Sequence, residues 1–231
     1  NSLSVTKNDV TMTLLHTAQT EGSTMVQPSI SLKHENETLT QYGWVTVKAS
    51  DGRQYALRRD YPYGFNLTDD ILFSTGNAYT FAPVTTESPL TISLDYIYVQ
   101  RSIPENTITL DIQTKKSFTP IKLPLDDFSA VITGAAEYSE TVEKEEIPVL
   151  RLFIDTDPEI SAINFYEEMD SDSGVIQAEC GIITDTDDFA CDIQLQSDQQ
   201  EKATLKYKSF DYRIDGPWEI NWTPVPIDAG E

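Results

Sequence analysis

The sequence predicts an all-β protein, and the periodicity of its side chains is the main reason. Apolar and polar residues alternate with a period of two through much of the chain, whereas no window of a dozen residues carries an apolar stripe at helical spacing. Clusters of Gly, Pro, Asn and Asp separate the alternating runs at intervals of about 8–12 residues, a spacing typical of β-sandwiches. With 39% hydrophobic residues in 231, the chain also has enough apolar side chains for buried cores. We therefore expect two immunoglobulin-like or related β-sandwich domains in tandem, with helix limited to short turns.

The alternating runs define the predicted strands. In the first half they are Val10 to Thr17, Met25 to Lys33, Leu39 to Ala49, Leu90 to Gln100 and Thr107 to Ile112. In the second half they are Phe128 to Ala136, Pro148 to Asp155, Ser161 to Glu168, Gly174 to Ile183, Phe189 to Gln196, Ala203 to Tyr212 and Trp218 to Trp222.

A polar segment that ends in proline separates the two strand-rich halves. This segment, Gln113 to Pro120, has the composition of an inter-domain linker. We predict a domain boundary near residue 115. An N-terminal sandwich would then cover residues 1–115, and an acidic C-terminal sandwich would cover residues 116–231.

The chain is strongly acidic, with 16 Lys and Arg against 38 Asp and Glu and a net charge of −22. From Glu137 to Glu201, 19 carboxylates stand against only Lys144 and Arg151. Such a charge repels phosphate backbones and anionic lipid headgroups, so we expect no nucleic-acid partner. The acidic stretch forms either a solvated anionic surface or a surface that binds cations or a basic partner.

The two cysteines fit one hairpin register. If Asp185 and Thr186 form a two-residue turn, Cys180 faces Cys191. The flanking pairs in this register are Ile182 with Phe189, Ala178 with Ile193, and Ile176 with Leu195. Directly opposed strand residues have Cα atoms about 4.5–5.5 Å apart, within the range that a disulfide accepts. We expect a cross-strand disulfide formed in an oxidising compartment, with two reduced core thiols as the alternative.

The sequence offers few groups for catalysis. His16 and His34 are the only histidines, and neither has a spacing that singles out a nucleophile, so we interpret both as strand-surface residues. Clustered His and Cys ligands of the kind that bind zinc do not occur, and neither do glycine-rich phosphate loops. We expect no catalytic residue.

Carboxylates stand at alternate positions in predicted turns, and Ca²⁺ is the one cofactor that they would suit. The candidate ligands are Asp155, Asp157, Asp170 and Asp172. A helix-loop-helix calcium loop around the second pair fails, because Ser173 occupies the position that requires glycine and Gly174 follows one place late. Acidic turns between strands are more often solvated loops, so we expect neither a metal nor a cofactor.

Three tyrosines would indicate sugar binding if their side chains were exposed side by side on one surface. Tyr61, Tyr63 and Tyr79 would then form a planar row that stacks on sugars, as in a secreted adhesin or carbohydrate-binding module. The same residues also suit strands as β-forming residues. A glycosidase would need a close carboxylate pair, and 38 acids make candidate pairs uninformative.

The end of the chain is interpreted as structural. Gly216 and Pro217 are predicted to form a turn before a final strand. In that strand Trp218, Ile220 and Trp222 share one face, because side chains two residues apart point the same way. We expect this face to be buried, with both tryptophans in a core rather than in a ligand site.

Three segments of the chain resemble corresponding segments of one known family. They are the start, Val5 to Leu15, a late strand of the first half, Leu90 to Tyr98, and the closing segment, Phe210 to Trp222, in which Gly-x-Trp is followed by alternating apolar residues. Together they resemble the outward-facing β domains of bacterial anti-sigma-factor-like membrane proteins. The resemblance implies a non-enzymatic β-sandwich ectodomain, which an upstream transmembrane helix tethers to a cytoplasmic sigma-factor-binding segment.

These observations predict an extracytoplasmic sensory or interaction domain of a membrane-anchored bacterial protein, without enzymatic activity. Its expected partner is a protein or a cell-envelope ligand of unknown identity. The chain opens with Asn1 and Ser2 and has no run of about 18 apolar residues, so we expect the membrane anchor to lie outside this sequence. A secreted adhesin or carbohydrate-binding module is the alternative.

Overall fold

The computed structural model describes residues 3–19, 24–55, 79–83, 89–112, 118–142, 145–166, 174–182, 188–197 and 201–223. These residues form fifteen β-strands and no helix, which confirms the predicted all-β class. The strands are β1 (Leu3–Lys7), β2 (Val10–Gln19), β3 (Thr24–Leu32), β4 (Glu37–Tyr42), β5 (Val45–Ala49), β6 (Gln54–Tyr55), β7 (Tyr79–Phe81), β8 (Leu90–Asp111), β9 (Ile121–Leu125), β10 (Phe128–Val142), β11 (Glu145–Thr156), β12 (Ile160–Tyr166), β13 (Val175–Ile182), β14 (Phe189–Leu195) and β15 (Lys202–Trp222).

The chain divides into two compact units in a way that the sequence does not predict. Unit 1 comprises Asn1–Tyr98 and Ile214–Glu231, and unit 2 comprises Val99–Arg213. Both divisions fall inside long strands, β8 and β15. The predicted boundary near residue 115 lies outside the described residues and differs from this division. The prediction assumed that each domain is one continuous stretch joined by a polar linker, whereas unit 1 is assembled from both ends of the chain.

Unit 1 contains a four-stranded sheet in the order β1-β2-β3-β7. Its other strands belong to a sheet in which β15, β8, β5 and β6 are neighbours and β4 pairs with β8. The β1–β2 hairpin turns through Asn8 and Asp9, whose φ angles are 52° and 61°. Two positive φ angles suit a two-residue hairpin, and Asn and Asp tolerate this conformation better than most residues.

The core of unit 1 draws buried side chains from both sheets. The four-stranded sheet contributes Val10, Met12, Leu14, Met25 and Val26, and the other sheet contributes Val45, Val47, Leu90, Ile92, Leu94, Trp218, Ile220 and Trp222. The two sheets are also joined by a hydrogen bond, because the indole N–H of Trp218 donates to the carbonyl oxygen of Lys7 at 3.1 Å. Burial together with a satisfied polar atom gives Trp218 the environment of a core residue.

Gly216 and Pro217 do not form a turn, contrary to the prediction. They lie inside β15 and are joined by a cis peptide bond. A Cβ atom on Gly216 would lie 2.6 Å from the carbonyl oxygen of Leu94 and 2.8 Å from that of Asp95, so only glycine allows this approach to β8. The Lys7 ammonium donates to the Gly216 carbonyl, which ties the end of β1 to the same point.

Unit 2 contains a five-stranded sheet in the order β13-β14-β11-β10-β9. Facing it are β12, β15 and β8, neighbours in that order. Phe128 from the five-stranded sheet contacts Phe210 and Tyr212 of β15, with ring centroids 5.3 and 4.8 Å apart. The Arg101 guanidinium lies over the rings of Phe128 and Tyr212 and donates to the Tyr212 hydroxyl at 3.1 Å. In each unit two sheets enclose a core, an arrangement consistent with a β-sandwich.

The strand prediction was wrong at two segments that contain proline. β8 continues through Pro104, where two separate strands were expected, because proline removes one backbone donor but keeps an extended φ. The sequence does not predict β9, which contains Pro124 paired with Ser129. β9 is the outermost strand of its sheet, a position that tolerates proline.

Replacement of Trp218 by alanine tests its structural role. We expect Trp218→Ala to lower the free energy of unfolding by about 3–5 kcal/mol, because the side chain is fully buried. Trp44→Ala is the matched control, since Trp44 is 59% exposed and should change stability by about 0.5 kcal/mol or less. Urea unfolding followed by circular dichroism measures both, and equal midpoints for the two variants would contradict the assignment.

Candidate functional site

The predicted disulfide between Cys180 and Cys191 is confirmed. The two residues lie opposite each other on β13 and β14, with Cα atoms 4.0 Å apart. The predicted pairs Ala178 with Ile193 and Ile182 with Phe189 also occur. The pair Ile176 with Leu195 is wrong, because a bulge between Val175 and Gln177 places Val175 opposite Leu195. The predicted turn at Asp185 and Thr186 lies outside the described residues.

Of the two pairs of aspartates proposed as calcium ligands, the structure describes one. Asp170 and Asp172 lie outside the described residues. The Asp157 carboxylate accepts the backbone N–H of Ser129 at 2.7 Å, which ties the connection between β11 and β12 to β10. Asp155 is exposed within β11. In the part of the chain that the structure describes, no three His, Cys, Asp or Glu side chains group as ligands for a metal ion.

The histidines lie on the surface of unit 1. His16 is exposed on β2. The Nε2 atom of His34 lies 3.8 Å from an Asp9 carboxylate oxygen, and Lys33 donates to the same carboxylate at 2.9 Å. These contacts hold the pKa of Asp9 below its usual value, mainly through the Lys33 hydrogen bond. The cluster joins the β1–β2 turn to the end of β3.

A second charged cluster lies on the solvent side of the five-stranded sheet of unit 2. Arg151 donates to both carboxylate oxygens of Asp192, at 2.7 and 2.6 Å, across the β11–β14 pairing. The Arg151 guanidinium also lies 5.1 Å from the centre of the Tyr138 ring. We call Tyr138, Arg151 and Asp192 the arginine cluster. It occupies the side of the sheet away from the buried Leu150 and Leu152.

Neighbouring charges and burial shift the pKa values of side chains in the arginine cluster. The hydrogen bonds from Arg151 are the main cause that lowers the pKa of Asp192. Burial raises the pKa of the Tyr138 hydroxyl, and the neighbouring Asp192 raises it further. The cluster is therefore a neutralised ion pair beside a protonated tyrosine at neutral pH.

The solvent side of this sheet also carries apolar side chains. Phe153 follows Arg151 by two residues on β11 and is 38% exposed. Its ring lies 3.7 Å from the position that a Cβ atom on Gly134 would occupy. Tyr138 is exposed to the same extent, 38%. Two aromatic rings thus flank the Arg151–Asp192 ion pair at the surface of unit 2.

A groove of about 520 Å³ lies at the end of the same sheet, and we call it the end groove. Its apolar lining includes the exposed Phe153 and Ile182 and the buried Phe189. The carboxylates of Asp155 and Asp188 also line it. Among the described residues its lining is Thr133, Phe153, Ile154, Asp155, Thr156, Pro158, Ile160, Ile182, Asp188 and Phe189. The end groove combines exposed apolar surface with negative charge.

Sequence reasoning missed the end groove and the arginine cluster. Arg151 stood out only as one of two bases in an acidic stretch, and this was the one available signal. The partner Asp192 is 41 residues away along the chain, and the pairing of β11 with β14 brings it into contact. Tyr61 and Tyr63, expected in an exposed aromatic row, lie outside the described residues.

The chain matches no protein-family model, no curated protein and no solved structure. Among the described residues there is no helix of the length and apolarity that crossing a membrane requires.

Removal of the disulfide tests its contribution to unit 2. The bridge closes a short loop, with the cysteines 11 residues apart, so Cys180→Ala/Cys191→Ala should lower the free energy of unfolding by about 2–3 kcal/mol. Thermal unfolding with and without dithiothreitol measures the effect. The reductant should destabilise the wild type and leave the double variant unchanged, and an equal response of both proteins would refute this expectation.

Titration of Asp192 tests the arginine cluster. Because the folded state lowers the pKa of Asp192, its stabilisation is present above the ordinary aspartate pKa of about 3.9 and is lost as the pH falls through the folded value. Asp192→Asn should therefore cost about 0.5–1 kcal/mol at pH 7, a value limited by partial exposure, and almost nothing once the pH is below the lowered folded pKa. Urea midpoints across this range measure the difference, with Asp155→Asn as the control. A cost that does not depend on pH would contradict the ion-pair argument.

Proposed function

We propose that this chain is a non-enzymatic, extracytoplasmic interaction domain that binds a basic, apolar segment of a partner protein in the end groove. The observation that carries the proposal is the exposure of Phe153 and Ile182 in one groove with two carboxylates. Ile182, the last residue of β13, is 57% exposed, a large fraction for an apolar side chain.

The apolar part of the groove supplies a driving force for binding. Covering one large apolar side chain is worth about 1.5–3 kcal/mol, and Phe153 and Ile182 are both available for this. Aromatic anchors near the centre of an interface account for much of the affinity in protein complexes. Phe153 is well suited to this role, because its backbone is held in the middle of a five-stranded sheet.

The charged part of the groove favours a basic partner. Asp155 and Asp188 belong to a chain with a net charge of −22, so an acidic segment would be repelled. A lysine or arginine next to an apolar side chain would complement both parts of the groove. Long-range attraction would also raise the association rate at low ionic strength.

Two further observations support the extracytoplasmic location. A disulfide such as Cys180–Cys191 persists in oxidising compartments and is rare in reducing ones. The resemblance of three segments to the outward-facing domains of anti-sigma-factor-like membrane proteins favours a membrane-tethered protein. In such a protein, occupation of the end groove by an envelope protein would be the sensed event.

Selection from a random peptide library displayed on phage tests the proposed groove. We expect the wild type to enrich peptides that combine Lys or Arg with Trp, Phe or Leu. A synthetic copy of the best peptide should bind Phe153→Ser and Ile182→Ser at least about tenfold more weakly, as loss of one buried apolar side chain implies. Its affinity for the wild type should fall as salt is added.

Leu15→Ser is the matched control, because Leu15 is 45% exposed on β2 of unit 1. This variant should bind the peptide as tightly as the wild type. Enrichment of acidic peptides, or equal affinity of the peptide for Phe153→Ser and Leu15→Ser, would show that the end groove is not the binding surface.

A further inference from the structure

We propose that unit 1 carries a separate site for one neutral hexopyranose ring of a glycan. The site is a depression of about 280 Å³ lined by Leu39, Thr40, Gln41, Tyr42 and Tyr79, and we call it the tyrosine pocket. Its volume is below the range of about 300–1,000 Å³ typical of pockets for drug-sized molecules, so it suits a single sugar ring.

The two tyrosines give the pocket a built aromatic wall. Their ring centroids lie 6.5 Å apart with the planes at 62°, an edge-to-face contact between β4 and β7. Burial raises the pKa of Tyr79 to about 12, so its hydroxyl stays protonated and can donate a hydrogen bond at neutral pH. The pair therefore offers both a ring face and a hydroxyl donor.

The remaining lining suits the hydroxyl groups of a sugar. Gln41 supplies an amide that both donates and accepts, and Thr40 supplies a hydroxyl, and both residues are exposed at the pocket. Leu39 adds an apolar contact. A pyranose ring presents C–H groups on its faces and hydroxyls at its rim, which matches an aromatic wall edged by amide and hydroxyl groups.

Trp44 adds a large aromatic surface next to the pocket. It is 59% exposed and follows Tyr42 by two residues, so their Cα atoms are at most about 7 Å apart. This is a separation that neighbouring sugar rings of a chain can bridge. An exposed tryptophan is well suited to stacking on a sugar, because its large ring system is rigid and its side chain has only two rotatable bonds to order on binding.

The backbone around Trp44 is held against β8. Gly43 donates to the carbonyl oxygen of Tyr96 at 2.8 Å, and the Trp44 carbonyl accepts the N–H of Asp95 at 3.1 Å. A Cβ atom on Gly43 would lie 2.4 Å from the Tyr96 oxygen, so glycine is required for this approach. The interruption between β4 and β5 thus fixes the backbone of an exposed tryptophan beside the tyrosine pocket.

Charge selects the class of glycan. Unit 1 itself has 14 Asp and Glu against 6 Lys and Arg, a net charge of −8, which repels uronic-acid and sulfated polymers and favours neutral glycans. This site goes beyond the proposed function, and it is independent of the end groove because all of its residues belong to unit 1.

Tryptophan fluorescence gives a direct test, because Trp44 is exposed while Trp218 and Trp222 are buried. The probes are hexasaccharides of β-1,4-glucose, β-1,4-N-acetylglucosamine and β-1,3-glucose, with a heparin hexasaccharide as the anionic comparison. We expect at least one neutral probe to shift the emission to shorter wavelength and to protect it from acrylamide quenching. Trp44→Phe should lose this signal while it still binds by calorimetry.

Alanine variants locate the site. Trp44→Ala and Tyr42→Ala should each bind the active hexasaccharide at least about tenfold more weakly, whereas Leu15→Ser and Phe153→Ser should bind it like the wild type. Circular dichroism melting verifies that each variant is folded. Loss of peptide binding in Phe153→Ser with retained sugar binding separates this site from the end groove.

Three results would overturn the inference. The first is the absence of binding of any neutral hexasaccharide to the wild type at millimolar concentration. The second is wild-type affinity in both Trp44→Ala and Tyr42→Ala. The third is tighter binding of heparin than of the neutral probes.

Discussion

The pairing of β8 with β15 is the interaction on which both units depend, because each strand supplies buried side chains to both cores. β8 contributes Leu94 to unit 1 and Leu110 to unit 2, and β15 contributes Trp218 to unit 1 and Phe210 to unit 2. These strands have 22 and 21 residues, far above the usual strand length of about five or six. A shift of one residue in either strand would exchange its buried and exposed faces, so correct pairing is a condition for both cores.

At two glycines a neighbouring strand comes so close that a side chain would not fit, and each glycine lies near an exposed or buried tryptophan. Gly216 allows β15 to approach β8 at the position that precedes the buried Trp218, and Gly43 allows the Trp44 backbone to bind β8. In both cases the missing side chain removes a steric barrier, and β8 then holds the backbone beside the aromatic residue. The tyrosine pocket thus has a backbone support in β8, and the end groove has one in β11, the central strand of its sheet.

The acidic character of the chain acts differently on its two proposed sites. At the end groove, the carboxylates of Asp155 and Asp188 lie beside exposed apolar side chains and favour a cationic partner. In the tyrosine pocket the lining among the described residues is uncharged, so the negative charge of unit 1 acts from a distance and disfavours anionic glycans. Arg151, one of the few bases in the acidic stretch, is neutralised by Asp192 and does not offset this field.

The sequence by itself determined the all-β class, the burial face of Trp218, Ile220 and Trp222, and the register that joins Cys180 to Cys191. These features follow from period-two alternation and from neighbouring strands of one hairpin, which are local properties. Tertiary structure alone decided the division into units, the passage of β15 through Gly216, and the grouping of Arg151 with Asp192 or of Tyr42 with Tyr79. Each of these depends on pairing between strands far apart in the chain, and alternation specifies which face of a strand is buried but not which strand lies beside it.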